Sequence, residues 1–336
     1  MELEIDIFEN DLLEKYPKVL DILLRDQSTN KNIFWATNNY MELGENYQFE
    51  SQITTESITG ENGHIIVPRV KKEKELQLSR ARHMAEVFTP SWICNEQNNL
   101  IDNAWFEREN IFNTSNISQN GINNWEVNQN KIYFPEGKSW KNYIRDTRLE
   151  MACGEAPYIT SRYDTTTGEF IEAERRIGFL DRKLRVINEN VFDSGEWLEA
   201  AQIAYKNIYS FEWQGDSLLL AREAMLITFI ENYLLKFKKE PLLKSIQNIA
   251  TIISYNVWQM DGLKGVIPNS CFSCHSETRN LFGETEIHEE VCEGCLKGDI
   301  RKHNGVYCII NDWGEKDIHT GRQGTKIKFV DLLTKT

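Results

Sequence analysis

Two pairs of cysteines stand where they could hold a metal ion. Cys271 and Cys274 lie in CFSC, and Cys292 and Cys295 in CEGC, with 17 residues between the pairs. Each CxxC lets two thiolates converge from one tight turn, and two such turns make a tetrahedral four-thiolate site of the zinc type. Such a site is closed and leaves no open position for a substrate, so the expected zinc is structural. Metal binding of this kind is worth roughly 10–16 kcal/mol in small zinc peptides, enough to hold a loop-rich segment that lacks a core of its own. His275 and His288 lie near the pairs and could replace a cysteine, but two complete pairs make that unnecessary. Cys94, Cys153 and Cys308 read as ordinary buried small residues.

A second group of residues suits a nucleoside. LEMACGEAP (residues 149–157) is a short strand candidate running into a turn of small residues, which permit a close approach of backbone to ligand. YSFEWQGDSLLLAR (209–222) reads as strand, acid, short turn and helix. In nucleotide-binding α/β folds an acid at the end of the second strand accepts hydrogen bonds from ribose hydroxyls, and Glu212 stands there, with Asp216 as the second choice. The blander reading is a surface carboxylate at a strand end. G-x-G-x-x-G is absent, which argues against a dinucleotide and its pyrophosphate. One stretch is basic: PRVKKEKELQLSRARH (68–83) holds Arg69, Lys71, Lys72, Lys74, Arg80, Arg82 and His83. A solvated helix face is the expectation, and a patch for phosphate or an acidic partner the alternative. In GFLDRKLR (178–185) the charges read as a strand edge, with a partner or DNA contact as the alternative.

The elements that must position these groups follow from periodicity. Residues 1–80 read as an α+β extension. DLLEKYPKVLDILLRD has helical spacing, NIFWATNNY (32–40) reads as a strand, and GENGHIIVP as a turn entering a strand. Helices are expected over residues 70–84 and 91–106, the second with Ser91 as its cap. The asparagine-rich stretch 107–140 reads as an irregular insertion. Residues 193–208, 217–238 and 242–260 read as helices, the first opened by an Asp/Ser cap signal. YDTTTGEFI (163–171) reads as a hairpin, and KIKFVDLL near the end alternates as a strand does.

The 336 residues suffice for two or three domain-sized units. A run of 18 or more uncharged apolar residues is missing, and the acidic start is unlike a secretory signal. CxxC pairs of this kind point to a reducing compartment, so the expected location is cytoplasmic. The net charge of −13 argues against a free-standing DNA binder, because affinity for DNA comes largely from cations on phosphates.

Four segments in order, EVFTP (86–90), LEMACGEAP (149–157), YSFEWQGDSLLLAR (209–222) and IKFVDLL (327–333), resemble the front half of an N6-adenine DNA methyltransferase of restriction–modification systems. They are short and cover a small part of the chain. The resemblance implies an α/β, Rossmann-like S-adenosylmethionine-dependent fold with a partial sheet. That domain would span 81–267, followed by a zinc-knuckle insertion over 268–305 and a return to the sheet over 306–336. It also implies site residues. Thr89, between Phe88 and Pro90, would bond the methionine carboxylate. Glu150 would take the acid position, and Ala152, Cys153, Gly154 and Glu155 the turn beneath the methionine part. Glu212 would hold the ribose and Trp213 pack on the adenine. Asp331, beside Leu332, would accept from the adenine 6-amino group. The family's usual second glycine is replaced by Ala156-Pro157.

In that family the next strand ends in an Asn/Asp-Pro-Pro-Tyr/Phe tetrapeptide. Here no two of the seven prolines are adjacent, and the sequence ends three residues after IKFVDLL. The expectation is a split enzyme. A partner chain bearing Asn-Pro-Pro-Tyr would supply the base pocket and most DNA contact, pairing with a sheet edge left open after Asp331. The alternatives are a catalytically inactive methyltransferase-like module with structural zinc, acting in a defence or anti-defence system, and a different Rossmann-like enzyme.

Overall fold

The computed structural model describes residues 9–84, 87–118, 121–279, 285–316 and 323–333. The amino-terminal apolar stretch divides at Pro17 into α1 (Glu9–Lys15) and α2 (Val19–Leu24), since proline lacks the amide a continuous helix requires. Residues 32–40 make isolated bridges instead of the expected strand, Arg25 with Asn32 and Phe34 with Gln52. Their aromatic character serves packing: Trp35 is buried against Tyr40 and Tyr47, with ring centroids 4.6 and 5.5 Å away. Gly60–Asn62 is a 3-10 turn, and residues 63–68 after it form no strand. Then come α3 (Lys74–Met84) and α4 (Ser91–Phe106). The asparagine-rich stretch, expected to be irregular, holds an antiparallel hairpin of β1 (Asn113–Ile117) and β2 (Asn123–Val127). Asn113 and Asn95 of α4 exchange reciprocal side-chain bonds of 2.8 and 2.9 Å that fix the hairpin to the helix.

A three-stranded parallel sheet carries the rest. α5 (Trp140–Arg145) leads into β3 (Arg148–Met151). Residues 152–178 follow, then α6 (Phe179–Asn190) and α7 (Ser194–Lys206) cross to β4 (Ile208–Glu212). α8 (Gly215–Phe237) and α9 (Leu243–Asn256) then cross to β5 (Val257–Gln259). The order is β3-β4-β5, with Leu149 opposite Tyr209 and Phe211 opposite Trp258. Parallel pairing demands long crossovers, and helices fill both of them. Residues 242–260 were expected to be one helix. The chain leaves α9 at Asn256 because Val257 and Trp258 suit a fully buried strand and take the third place in the sheet.

Two further expectations change. Residues 179–185 belong to helix α6, where Asp181, Arg182 and Lys183 are buried. Arg182 donates to Asp102 at 2.6 Å, and the Lys183 ammonium donates to the carbonyls of Ile144, Asp146 and Asn207. Burial pushes the Lys183 pKa down to about 7. The basic stretch is a solvated face only in part: Lys71, Lys74 and Arg82 are exposed, and two of its cations are not. Lys72 and Arg80 are buried on Asp216 at the start of α8, at 3.2 and 2.9 Å, and the Tyr40 hydroxyl donates to the same carboxylate at 2.8 Å.

α8 is apolar on nearly every face and buried through most of its length, as a central helix must be. The amino-terminal segment packs on it closely. A methyl group at Gly215 would stand 2.1 Å from the Phe34 carbonyl oxygen, and Leu20, Leu23, Leu24 and Trp35 share one core with Leu218, Leu219 and Ile253. Beyond β5 lie two antiparallel pairs, β6 (Cys274–Arg279) with β7 (Thr285–Glu290) and β8 (Ile309–Lys316) with β9 (Gln323–Lys328), separated by the short α10 (Glu293–Lys297). β9 pairs with β8 and not with the parallel sheet. The following Phe329–Leu332 is a 3-10 turn. Phe329 packs on Phe211 and Trp258 at 6.0 and 5.4 Å, so IKFVDLL covers the sheet's strands without extending it. No described helix is long and apolar enough to cross a membrane.

Candidate functional site

A group of residues that could hold a metal ion assembles around α10. Cys292 is the residue before that helix and Cys295 its third, so both thiols lie on one side of one turn. Cys271 enters from the segment after β5, and the fourth donor is His303, from the loop after α10. The four ligand atoms lie within 4.8 Å of one another. His303 Nδ1 is 3.5 Å from Cys271 Sγ, 3.5 Å from Cys292 Sγ and 3.6 Å from Cys295 Sγ. Zinc–sulfur bonds of about 2.3 Å and a zinc–nitrogen bond of about 2.0–2.1 Å at tetrahedral angles place N and S about 3.6 Å apart. The donor set therefore fits zinc.

The surroundings orient the ligands. The His303 amide donates to the Tyr307 hydroxyl at 2.9 Å, and the Asn304 amide donates to Cys292 Sγ at 3.4 Å. Three thiols share the space. Burial and then the neighbouring Cys292 and Cys295 push Cys271 up to about 12. Cys292 is pushed down to about 6, the Asn304 amide and the Cys295 backbone outweighing its burial. A bound dication would relieve that competition by taking all three as thiolates. Cys274 opens β6, but its side chain, like those of His275 and His288, lies outside the described residues. Sequence reasoning missed His303, eight residues after Cys295. The available signal was the Asn304-Gly305 turn beside it, which brings the chain back over α10.

The second site is a cleft of about 1000 Å³ at the carboxyl ends of β3 and β4. Phe88, Thr89, Glu150, Ala152, Cys153, Gly154, Glu212 and Trp213 all line it, drawn from three segments far apart in sequence. Thr89 sits where the chain enters α4, its carbonyl held by the Thr165 hydroxyl at 3.2 Å. The loop after β3 is tight. Ala152, Gly154 and Ala156 have φ of 50°, 55° and 58°. Alanine at such angles costs about 1 kcal/mol or more each. Ala156 nonetheless adopts the backbone conformation for which a glycine would be the usual residue. A methyl group at Gly154 would meet the Phe88 ring at 3.3 Å, so the aromatic wall rests on the glycine. The Arg69 guanidinium lies 5.2 Å from the same ring, and Arg82 lines the opening.

Glu212 joins the two strand tips, accepting from the Gly154 amide at 2.8 Å and the Gln214 amide at 3.2 Å. Burial raises its pKa, the two amides opposing. Glu150 is raised well above the ordinary carboxyl value, by burial and by the charge of Glu212, the amides of Tyr158 and Ile159 opposing. Glu150 Oε2, Gln214 Oε1 and Asn98 Oδ1 are buried oxygens without a hydrogen bond among the described residues, on three residues that line the cleft. All three are acceptors, or become so on ionisation.

Four residues expected in this site lie elsewhere. Glu155 turns away, accepting from the Arg69 amide at 2.7 Å and the Tyr163 hydroxyl at 2.6 Å, because a buried carboxylate needs those donors. Pro90 borders the cleft through Thr89 without lining it. Asp331 and Leu332 are exposed on the 3-10 turn after β9, since the third parallel strand is β5 and not IKFVDLL. Among the lining residues that sequence reasoning did not single out, Asn98 and Gln214 carry the free oxygens, and Asn269 comes from the segment leading to Cys271. Comparison with protein-family models, with curated proteins and with solved structures finds no match.

Proposed function

We propose that the cleft binds S-adenosylmethionine and that the chain is the cofactor-binding subunit of an N6-adenine DNA methyltransferase of the restriction–modification type. The observation that carries this reading is the gathering of Thr89, Glu150, Gly154, Glu212 and Trp213 around one hollow at the tips of adjacent parallel strands. The order of those strands, with each crossover made of helices, supports a Rossmann-like sheet. Glu212 at the tip of β4 suits the ribose hydroxyls as an acceptor. Trp213 and Phe88 offer flat apolar surface to the adenine. The cofactor supplies an electrophilic methyl group when bound. This chain's residues hold and orient it: Gly154 lets the backbone come close, and Glu212, fixed by two amides, presents an acceptor at a set place.

Base extrusion and amino-group orientation would fall to a partner chain carrying Asn-Pro-Pro-Tyr. The edge of β3 is a place for that chain to join. β3 has no second neighbour among the described residues, and its Leu149 and Met151 are 44% and 71% exposed. The opposite edge is covered: all of β5 is buried, and Cys308 Sγ–H donates to the Gln259 carbonyl at 3.3 Å. The Cys3His centre would act as a structural zinc.

Calorimetric titration tests the cofactor. S-adenosylmethionine is expected to bind and NAD not, with Glu212→Ala weakening binding by roughly tenfold to a hundredfold, the scale of hydrogen bonds to a charged group. Equal affinity in Glu212→Ala would remove the ribose assignment. Co-expression with an Asn-Pro-Pro-Tyr-bearing chain is expected to yield N6-methyladenine in DNA. Cofactor binding without methyl transfer in such pairings would favour the inactive-module reading.

A further inference from the structure

The metal centre and the cleft are joined by one short piece of chain. Asn269 lines the cleft and lies two residues before the ligand Cys271. No other cleft-lining residue comes from beyond Ser217 among the described residues. Its backbone is left-handed, with φ of 54°. That conformation is uncommon outside glycine, and asparagine tolerates it best of the larger residues.

The segment around Asn269 is held from the metal side. Ile267 donates its amide to the Val306 carbonyl at 2.8 Å, and the Val306 amide donates to the Ser270 hydroxyl at 3.0 Å. Asn304 closes the far end. Its side chain accepts from the Phe272 amide at 3.2 Å and donates to the Phe272 carbonyl at 2.8 Å, while its own amide donates to Cys292 Sγ. Residues 267–272 and 303–306 thus form two rails. Each rail carries a metal ligand, Cys271 on one and His303 on the other. An ion bound by both, and by Cys292 and Cys295 of α10, fixes the spacing of the rails and therefore the place of Asn269.

From this juxtaposition we propose that Asn269 contacts the ligand in the cleft, and that the Cys3His metal centre sets the affinity of the cleft by positioning Asn269. The proposal rests on the cofactor reading above and adds a contact and a coupling to it. The amide of Asn269 offers a donor NH2 group and an acceptor oxygen side by side, complementary to a group that presents both, such as an adenine edge. Coupling of this kind is reciprocal, so bound ligand also tightens the metal.

The test is a thermodynamic cycle on the full chain, with S-adenosylmethionine as the calorimetric probe. Wild type and Asn269→Gly are each measured with zinc bound and after removal of zinc by chelation. Glycine keeps the left-handed backbone free of strain and removes only the amide. With zinc present and its stoichiometry unchanged, Asn269→Gly is expected to bind about tenfold more weakly, the scale of a lost hydrogen bond or two. Zinc removal is expected to weaken the wild type by a similar factor and to change Asn269→Gly by less than about twofold. Should the stripped chain lose its fold, the zinc-loaded pair still decides: equal affinities there overturn the proposal. Undiminished binding by stripped wild type overturns it too, as does an equal zinc dependence in Asn269→Gly. Zinc-loaded wild type that fails to bind S-adenosylmethionine at all overturns the cofactor reading itself, and the proposed contact with it.

Discussion

A methyl group at Gly294 would stand 2.7 Å from the ring and the backbone nitrogen of His303. The glycine inside CEGC is therefore what lets the histidine close over the two cysteines that flank it. This makes the fourth ligand a matter of fit as well as chemistry. One zinc per chain is expected by metal analysis of the purified protein. His303→Ala should weaken zinc retention against a competing chelator by more than about a hundredfold, beyond what loss of a supporting contact does. Full stoichiometry and unchanged affinity in that variant would move the fourth position to another donor. At this scale the cysteine spacing was readable from sequence, because a CxxC turn is a local geometry. His303 was harder to find, because the Asn304-Gly305 turn marks a return of the chain without saying which side chain it delivers to the cysteines.

Asp216 fastens two elements together. It lies at the first turn of α8 and neutralises Lys72 and Arg80, both buried, from the amino-terminal segment and α3. Although burial alone would raise it, Arg80 and Lys72 hold its carboxyl well below the ordinary value of 3.8. As pH falls beneath about that value the unfolded chain takes up the proton first, so the stability this group contributes is full above it and is lost progressively below. Asp216→Asn should destabilise the fold by about 3–5 kcal/mol in urea unfolding, since it strands two buried cations, and should flatten the acid limb. A loss under about 1 kcal/mol would mean the cluster is not a fastening. The acid at 216 was legible as the second choice for a ribose contact, and its true partners were not. They sit 136 and 144 residues earlier, in a stretch whose local pattern resembled a solvated helix face. The helices 194–206 and 215–237 were read nearly to the residue from their own periodicity. β5 was lost inside an apparent helix, because three buried residues carry no period.

Across the whole molecule, a three-stranded parallel sheet has one covered edge and one open edge. Parallel sheets are ordinarily enclosed, and an apolar open edge invites pairing with another chain. The isolated chain is therefore expected to self-associate at rising concentration. Met151→Lys, which places a charge on that edge, should hold it monomeric in sedimentation velocity. Identical concentration dependence in both proteins would show that the β3 edge is not the contact. The position of this edge was invisible in the sequence, which pointed to the far end of the chain. The ion cluster at Asp216 has one more consequence, for the order of events at the ribosome. Lys72 and Arg80 leave the exit tunnel long before their counter-charge is synthesised, and translation at about 5–20 residues per second makes that interval on the order of ten seconds. For that time Leu20, Leu23 and Leu24 lack the α8 side chains they pack against in the folded chain, and the docking of their segment waits on that helix.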